Sequence, residues 1–310
     1  MRSLPCLGLF IGLGLLAPDL SAADPKVSDL IKELSSPDEK TRLEAVKALA
    51  RHESDISPAI PALTKTLLED KVPRIRAYSA FALKQLGPKA RKAVPALSKA
   101  LGDADGDVRC VAADALGHIG PEARDAVAAL GKALGDAEAG PHAAMALSRI
   151  GPAAKSAIPA LQKGLQNPDL CPYAAQTLAR LGKEGLDVLN RAVKDKNSEV
   201  RIEVVLALGL AGKQAVPALV GALKDREAEV RLNAAYILGK LGADAREAVA
   251  ALTTALADKE ASVRSRVAIT LGAIGPDARE AIPALKKALM DDDESVKKNA
   301  RYALELIQRK

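Results

Sequence analysis

The sequence holds no tryptophan, two phenylalanines and four tyrosines among its 310 residues. A globular enzyme of that size normally fills its core with more large rings, and nucleic-acid surfaces stack bases on them. Alanine and leucine do the filling here, within a chain that is 48% apolar, and this points to thin, regular helix-on-helix packing. Three cysteines are too few for a disulfide framework, and three histidines leave little material for a metal centre. No glycine-rich phosphate loop, Ser–His–Asp set or paired-cysteine zinc motif occurs. Acidic excess is missing too: 45 Lys and Arg stand against 39 Asp and Glu, a net charge of +6. That balance admits an anionic partner without requiring one.

One long apolar run is present, at residues 4–17, after Arg2. It is short of the roughly 20 residues that span a bilayer. Ser21 and Ala23 follow at −3 and −1 of a cleavage point before Asp24, with Ala22 as an alternative end. Residues 1–23 therefore read as a signal peptide, an uncleaved anchor being the alternative. The mature chain is expected to start near residue 24, to carry no transmembrane span and to work outside the cytoplasm, periplasmic or extracellular.

The rest of the chain repeats itself. A phrase of the form "LGHIG" ends at Gly87, Gly120, Gly151, Gly182, Gly212, Gly242 and Gly275, at spacings of 33, 31, 31, 30, 30 and 33 residues. A phrase of the form "AVPAL" follows each of most of these glycines, and a fixed period near 30 means stacked helical or other supersecondary units. Val108, Ala112, Leu116 and Ile119 recur at helical spacing, with Gly120 and Pro121 ending that helix. A second helix follows, with Val127, Leu130 and Leu134 as its buried stripe. Its first turn carries Pro61, Pro95, Pro159, Pro217 and Pro283 in other units, where a missing N–H costs nothing. A third signal is Asp-x5-Arg at the junctions: Asp70 and Arg76, Asp103 and Arg109, Asp195 and Arg201, Asp225 and Arg231, Asp258 and Arg264, with Asp291 and Lys297 as a weaker version.

These phrases closely resemble HEAT repeats, in the short form of phycobilisome-lyase-like proteins, from about residue 27 to 308. The resemblance implies an all-α fold: a right-handed α-solenoid of about eight helix pairs plus capping helices, forming one domain over 24–310. It also implies that the junction Asp and Arg form a hydrogen-bonding ladder between units, so Arg109 is structural. In the column Ala80, Ala113, Ala144, Ala175, Val205, Ala235, Ala268, Arg301, a small residue turns charged in the last unit, as a cap requires. Two units are two residues short, with Gly140 and Cys171 in place of the junction Arg. Looser stacking or a bend is expected around 137–175.

The stretch "VRCVAADALGHIG" lines up Cys110, Asp114 and His118 at i, i+4 and i+8. With Ala112 as the buried centre at 100° per residue, all three are expected on the outer face of the first helix, away from any pocket. Cys110 and Cys171 lie two units apart, roughly 20 Å at helix-layer spacing, and are expected as free thiols. The resemblance extends to hydroxylases that bind iron through several His-Glu dipeptides; this chain has one, His52-Glu53. Neither metal nor cofactor is expected, and no residue is assignable to chromophore-lyase chemistry.

Two surfaces stand out instead. The second helices carry Lys65, Lys99, Lys132, Lys163 and Arg191 at one position, then Gly221, Thr254 and Lys287. The cations are expected to line the concave face at about 10 Å intervals. The outer position of Asp114 is occupied elsewhere mostly by apolar residues, among them Leu206, Tyr236 and Ile269. Ile202 and Leu232 sit one turn earlier, and Gly209, Gly239 and Gly272 are expected to leave the neighbouring surface low. Together they predict an apolar patch on the convex face. The expected function is an exported, non-catalytic scaffold that binds a protein partner through these faces. The partner is unidentified: a protein with an acidic segment, or another polyanion, and not nucleic acid. A HEAT-like enzyme and a purely architectural spacer are the alternatives.

Overall fold

The computed structural model describes residues 26–309, so the expected signal peptide at 1–23 lies outside the described residues. The chain packs as two compact units, one up to Thr177 and one from Leu178 on. In the first unit a short α1 (Val27–Glu33) precedes a regular alternation. Longer first helices are α2 (Glu39–Arg51), α4 (Pro73–Gln85), α6 (Gly106–Ile119) and α8 (Ala139–Ile150). Shorter second helices are α3 (Ile60–Glu69), α5 (Val94–Ala100), α7 (Val127–Ala133) and α9 (Ile158–Gly164). The next first helix, α10 (Cys171–Arg180), contains the boundary.

The second unit continues the alternation with α11 (Lys183–Ala192), α12 (Ser198–Leu208), α13 (Val216–Ala222), α14 (Ala228–Leu241), α15 (Val249–Ala255), α16 (Ala261–Ile274) and α17 (Ile282–Ala288). A final α18 (Glu294–Gln308) has no second helix after it. The described residues thus hold eight first-and-second pairs, an α-solenoid with capping helices at its ends. Ala80, Ala113, Ala235 and Ala268 are fully buried while Arg301, at the same position of α18, is exposed. That exposure sets α18 apart from the other first helices of the described stack.

The local chemistry explains the alternation. Asp38 and Asp105 cap α2 and α6, accepting from Thr41 N at 2.8 Å and Val108 N at 3.1 Å. Such caps satisfy backbone donors that the helix itself leaves open. Proline occupies the first turn of α3, α5 and α9. Gly120 ends α6 at φ 73° and ψ −141°, a backbone state closed to residues with a side chain. The connection after it is more ordered than a loop. Residues Gly120–Ala126 form a 3-10 segment, with Ala123 and Ala126 fully buried.

The core is the aliphatic stripe read from the sequence: Val108, Ala112, Leu116 and Ile119 face Leu130 with no exposed area. Each large aliphatic side chain so buried contributes about 1.5–3 kcal/mol. First helices also approach each other sideways through small residues. A Cβ on Gly117 would stand 2.9 Å from Ala146 Cα, and one on Gly272 would stand 3.1 Å from Ala303 Cα. Gly239 and Gly209 likewise face Thr270 and Ile237 of the next first helix. The expectation that Gly209, Gly239 and Gly272 open a low surface is therefore corrected: they are points of close helix approach.

Among the described residues one stretch, Ser198–Ala222, is long and apolar enough to cross a membrane by length and composition. It consists of α12 and α13 joined by a 3-10 segment in which Gly212 takes φ 60°. Its Val200, Val204, Val205, Leu208, Val216 and Leu219 are packed in the core.

The junction ladder exists, with its register resolved. Arg76 donates from Nε and Nη2 to both oxygens of Asp103, at 2.8 and 2.6 Å, and from Nη1 to the carbonyl of Asp70 at 2.9 Å. So Arg76, Arg109, Arg201, Arg231 and Arg264 each take the backbone of the Asp six residues before them and the carboxylate of the next Asp along, while Arg42 takes the carbonyl of Ser36 in the same way. In the first unit Arg42 pairs with Asp70, Arg76 with Asp103 and Arg109 with Asp136. In the second, Arg201 pairs with Asp225, Arg231 with Asp258 and Arg264 with Asp291. Asp195 gives its carbonyl to Arg201 and its carboxylate to Asn197 N. Lys297 does not reach Asp291; it pairs with Glu294 at 2.7 Å.

The irregular repeats replace this device with backbone turns. Gly140 N donates to Asp136 O at 2.9 Å and Cys171 N to Asn167 O at 2.7 Å. The rung before them is also the least regular. Arg109 Nε lies 2.9 Å from Asp136 Oδ2 as an ion pair, yet its N–H is too poorly aligned for a hydrogen bond.

Candidate interaction surfaces

The trio on α6 does not share a solvent-facing side. Cys110 is 1% exposed and disulfide-bonded, which corrects the expectation of a free thiol there. Cys171 is buried as well, and the two are not cross-linked to each other. The physical reason is lateral packing. α6 is flanked by α4 and α8 on its sides, so burial reaches well beyond the stripe centred on Ala112, and only Gly106, Asp107, Arg109, Asp114 and His118 retain exposure.

Asp114 is drawn into a polar tie across three first helices. Lys84 of α4 donates to Oδ2 at 3.0 Å, and His142 of α8 places Nδ1 2.9 Å from Oδ1. Burial alone would raise the Asp114 pKa. The hydrogen bond from His142 and the charges of His142 and Lys84 outweigh it and hold the carboxyl below its ordinary value. His118, one turn on, is exposed, with Nδ1 2.8 Å from Asp114 O and 3.0 Å from Arg149 Nη1. Every charge in this cluster is spent on joining repeats. Among the described residues no group of three or more His, Cys, Asp or Glu side chains is placed to hold a metal ion.

The ladder carboxylates behave similarly. For Asp103, Asp225 and Asp258, burial pushes the pKa up. The partner arginine and a backbone N–H overcome that push and hold each below its ordinary value. The arginines Arg76, Arg201, Arg231 and Arg264 are raised by the same hydrogen bonds.

The cation column is solvent-facing in both units. Lys65, Lys99, Lys132 and Lys163 stand exposed on α3, α5, α7 and α9 of the first unit, and none of the four has a hydrogen-bond or ion-pair partner among the described residues. Arg191 is exposed on α11 of the second unit. In the first unit each second helix thus presents one cation with no internal counter-charge.

The apolar column appears in the second unit. Leu206, Tyr236 and Ile269 are 37%, 40% and 36% exposed on α12, α14 and α16, and Tyr302 of α18 is 54% exposed. Ile202 and Leu232 are only half-buried beside them. The guanidinium of Arg266 sits 5.3 Å from the Tyr236 ring, covering part of the stripe by a cation–π contact. In the first unit the same position is half-buried at Phe81, Asp114 and Met145.

Several solved structures are similar to this chain to different degrees. An engineered protein is 27% identical over 92% of this chain and 89% of its own, with a TM-score of 0.45. Kap121p is 13% identical over 93% of this chain, with a TM-score of 0.65; the chain spans 38% of its length. The CpcE–CpcF complex of phycocyanin lyase from Nostoc sp. PCC7120 is 24% identical over 76% of this chain and 97% of that one, with a TM-score of 0.47. No curated protein matches the chain. The family model for HEAT repeats matches residues 27–109, 94–171, 167–227 and 216–305. With the paired helices, the ladder and the capped end already described, those matches make this chain a member of the HEAT-repeat family.

Proposed function

We propose that this protein is an exported, non-catalytic scaffold that binds an acidic segment of a partner protein along its second helices. The observation that carries the reading is the column Lys65, Lys99, Lys132 and Lys163, exposed and without internal partners. Four unpaired cations at a one-repeat spacing repel each other weakly through water, and an extended anion relieves that repulsion at every repeat. The ladder and the Asp114 tie use their charges internally, so they compete for no ligand. Kap121p, a protein of similar fold, is seen bound to Nup53p, and protein binding is the use brought to this chain. Export rests on Arg2, the apolar run at 4–17 and the small residues Ser21 and Ala23.

The test is in-cell crosslinking of the full-length protein beside a Lys99→Glu, Lys132→Glu, Lys163→Glu variant. A partner captured by the first and lost by the second, with binding that weakens as salt rises, supports the proposal. Equal capture of the same partner refutes it. N-terminal sequencing of the protein recovered outside the cytoplasm should start at Asp24; recovery of the intact chain from the cytoplasm refutes the export reading.

A further inference from the structure

In the second unit the cation column is interrupted. α13 carries Gly221 and α15 carries Thr254, both exposed, where other second helices carry Lys or Arg. A Cβ on Gly221 would meet nothing within 4 Å. The missing side chain leaves a groove of about 760 Å³ between α11 and α13, whose sides include Val193, Pro217, Ala218 and Gly221. A second groove of about 560 Å³ lies between α13 and α15 and shares Lys224 and Asp225 with the first. The two form one trough running across consecutive repeats.

The lining of the first groove is basic. Five cations stand against two carboxylates, Asp195 and Asp225. Asp225 is committed to Arg201, which takes both of its oxygens at 2.7 and 2.8 Å. That leaves Lys194, Lys196 and Lys224, all exposed, with no side-chain hydrogen bond or ion pair among the described residues. Arg226 donates from Nη2 to the carbonyl of Lys196 at 2.9 Å, which ties the rim of one repeat to the next. Lys259 continues the basic rim along the second groove.

We infer that this trough is a binding site for an extended acidic peptide, distinct from the lysine column of the first unit. Its small, partly apolar sides accept backbone and short side chains, while carboxylates meet Lys194, Lys196 and Lys224 at the rim. A repeat spacing of about 10 Å matches three residues of extended chain at about 3.3 Å each. The fitting segment therefore bears Asp or Glu at every third position, with small apolar residues between.

The probe is a fluorescein-labelled peptide of about fifteen residues with Glu at every third position and Ala or Val between, followed by fluorescence anisotropy on the full-length protein. The expected result is salt-sensitive binding that falls about tenfold or more in Lys194→Glu with Lys224→Glu. Gly221→Leu should weaken it similarly: it fills the groove, leaves the charge unchanged and fits a helix position with open space. Its melting temperature should not fall below that of the parent, which separates lost binding from lost folding. Because the same peptide also matches the first-unit column, Lys99→Glu with Lys132→Glu serves as the background: salt-sensitive binding that survives in it belongs to the trough and should be lost on adding Gly221→Leu or Lys194→Glu with Lys224→Glu. In that background, affinity unchanged by Gly221→Leu, or no binding left at low salt, would each overturn the inference.

Discussion

Removing one carboxylate from the ladder should uncouple two repeats, and Asp258→Ala is the sharpest case. Arg231 donates to its two oxygens at 2.6 and 2.7 Å, and the two side chains are 7% and 8% exposed. Asp258 also accepts from Glu260 N at 2.9 Å. Hydrogen bonds to charged groups contribute about 1.5–3 kcal/mol each, and leaving a buried charge without its partner costs about 3–5 kcal/mol. Arg231 keeps its carbonyl bonds to Asp225 and Arg226, at 2.9 and 3.2 Å, so the lower end applies: about 3 kcal/mol. Urea unfolding of Asp258→Ala, Arg231→Met and the double variant gives the coupling directly. The double variant should be clearly less destabilised than the sum of the two singles, because it strands no charge. Asp187→Ala, which breaks an exposed pair with Lys183, should not move the unfolding midpoint. A loss below about 1 kcal/mol for Asp258→Ala, or simple additivity in the double, would refute the claim that the ladder couples repeats.

Acid should dissolve the same device. Asp103, Asp136, Asp225, Asp258 and Asp291 all have pKa values below their ordinary 3.8 in the folded protein. A depressed carboxylate stabilises the fold above its unfolded pKa and loses that contribution as pH falls toward its folded one. The melting temperature should therefore hold between about pH 5 and 8 and drop below about pH 4; a drop beginning near neutrality would refute this account. Gly185→Ala should destabilise by about 2 kcal/mol or more, because its Cβ would collide with the Leu178 carbonyl. Gly221→Ala, into open space, should stabilise by about 0.5–1 kcal/mol. Equal urea midpoints for those two variants would count against the packing described. Asp114→Ala should cost about 2 kcal/mol by stranding Lys84 and His142, and pairing it with Lys84→Met should recover part of that loss in the same assay.

The repeat, the helix pairs and the cap at Arg301 were legible because each depends on residues near in sequence, recurring at one period. Gly120 and the first-turn prolines announce helix ends by backbone geometry alone. The ladder was legible as a spacing and not as a pairing. Asp-x5-Arg marks each junction, but the Arg reaches past its neighbouring Asp side chain to the carboxylate 24 to 28 residues on. Asp114 shows the limit most clearly. A helical wheel centred on Ala112 assumes one buried side, whereas each first helix is covered by its pair and by a first helix on either hand. The missed signal lay in register: Lys84 stands one turn beyond Phe81, the residue aligned with Asp114, and His142 approaches from the other side.

That lateral packing also decides where a ligand can be held. Positions that set the spacing are committed: Gly117 to Ala146, Gly272 to Ala303, each Arg to the next Asp. A change there moves a helix, so binding specificity cannot vary at those sites without altering the stack. The second-helix column is different, because its side chains hold nothing in place. Lysine at 65, 99, 132 and 163 adds charge without structural cost, and glycine at 221 opens a groove without disturbing Leu219 or Ala222 beneath it, both buried. Gly221 lowers the helix propensity of a seven-residue α13 by about 1 kcal/mol relative to Ala. Val216, Leu219 and Ala222 hold that helix by burial regardless. The stack can thus carry a column of charge in one unit and a trough in the other on the same stacking rules, and under the proposed function a partner's chemistry is read by the positions the stack leaves uncommitted.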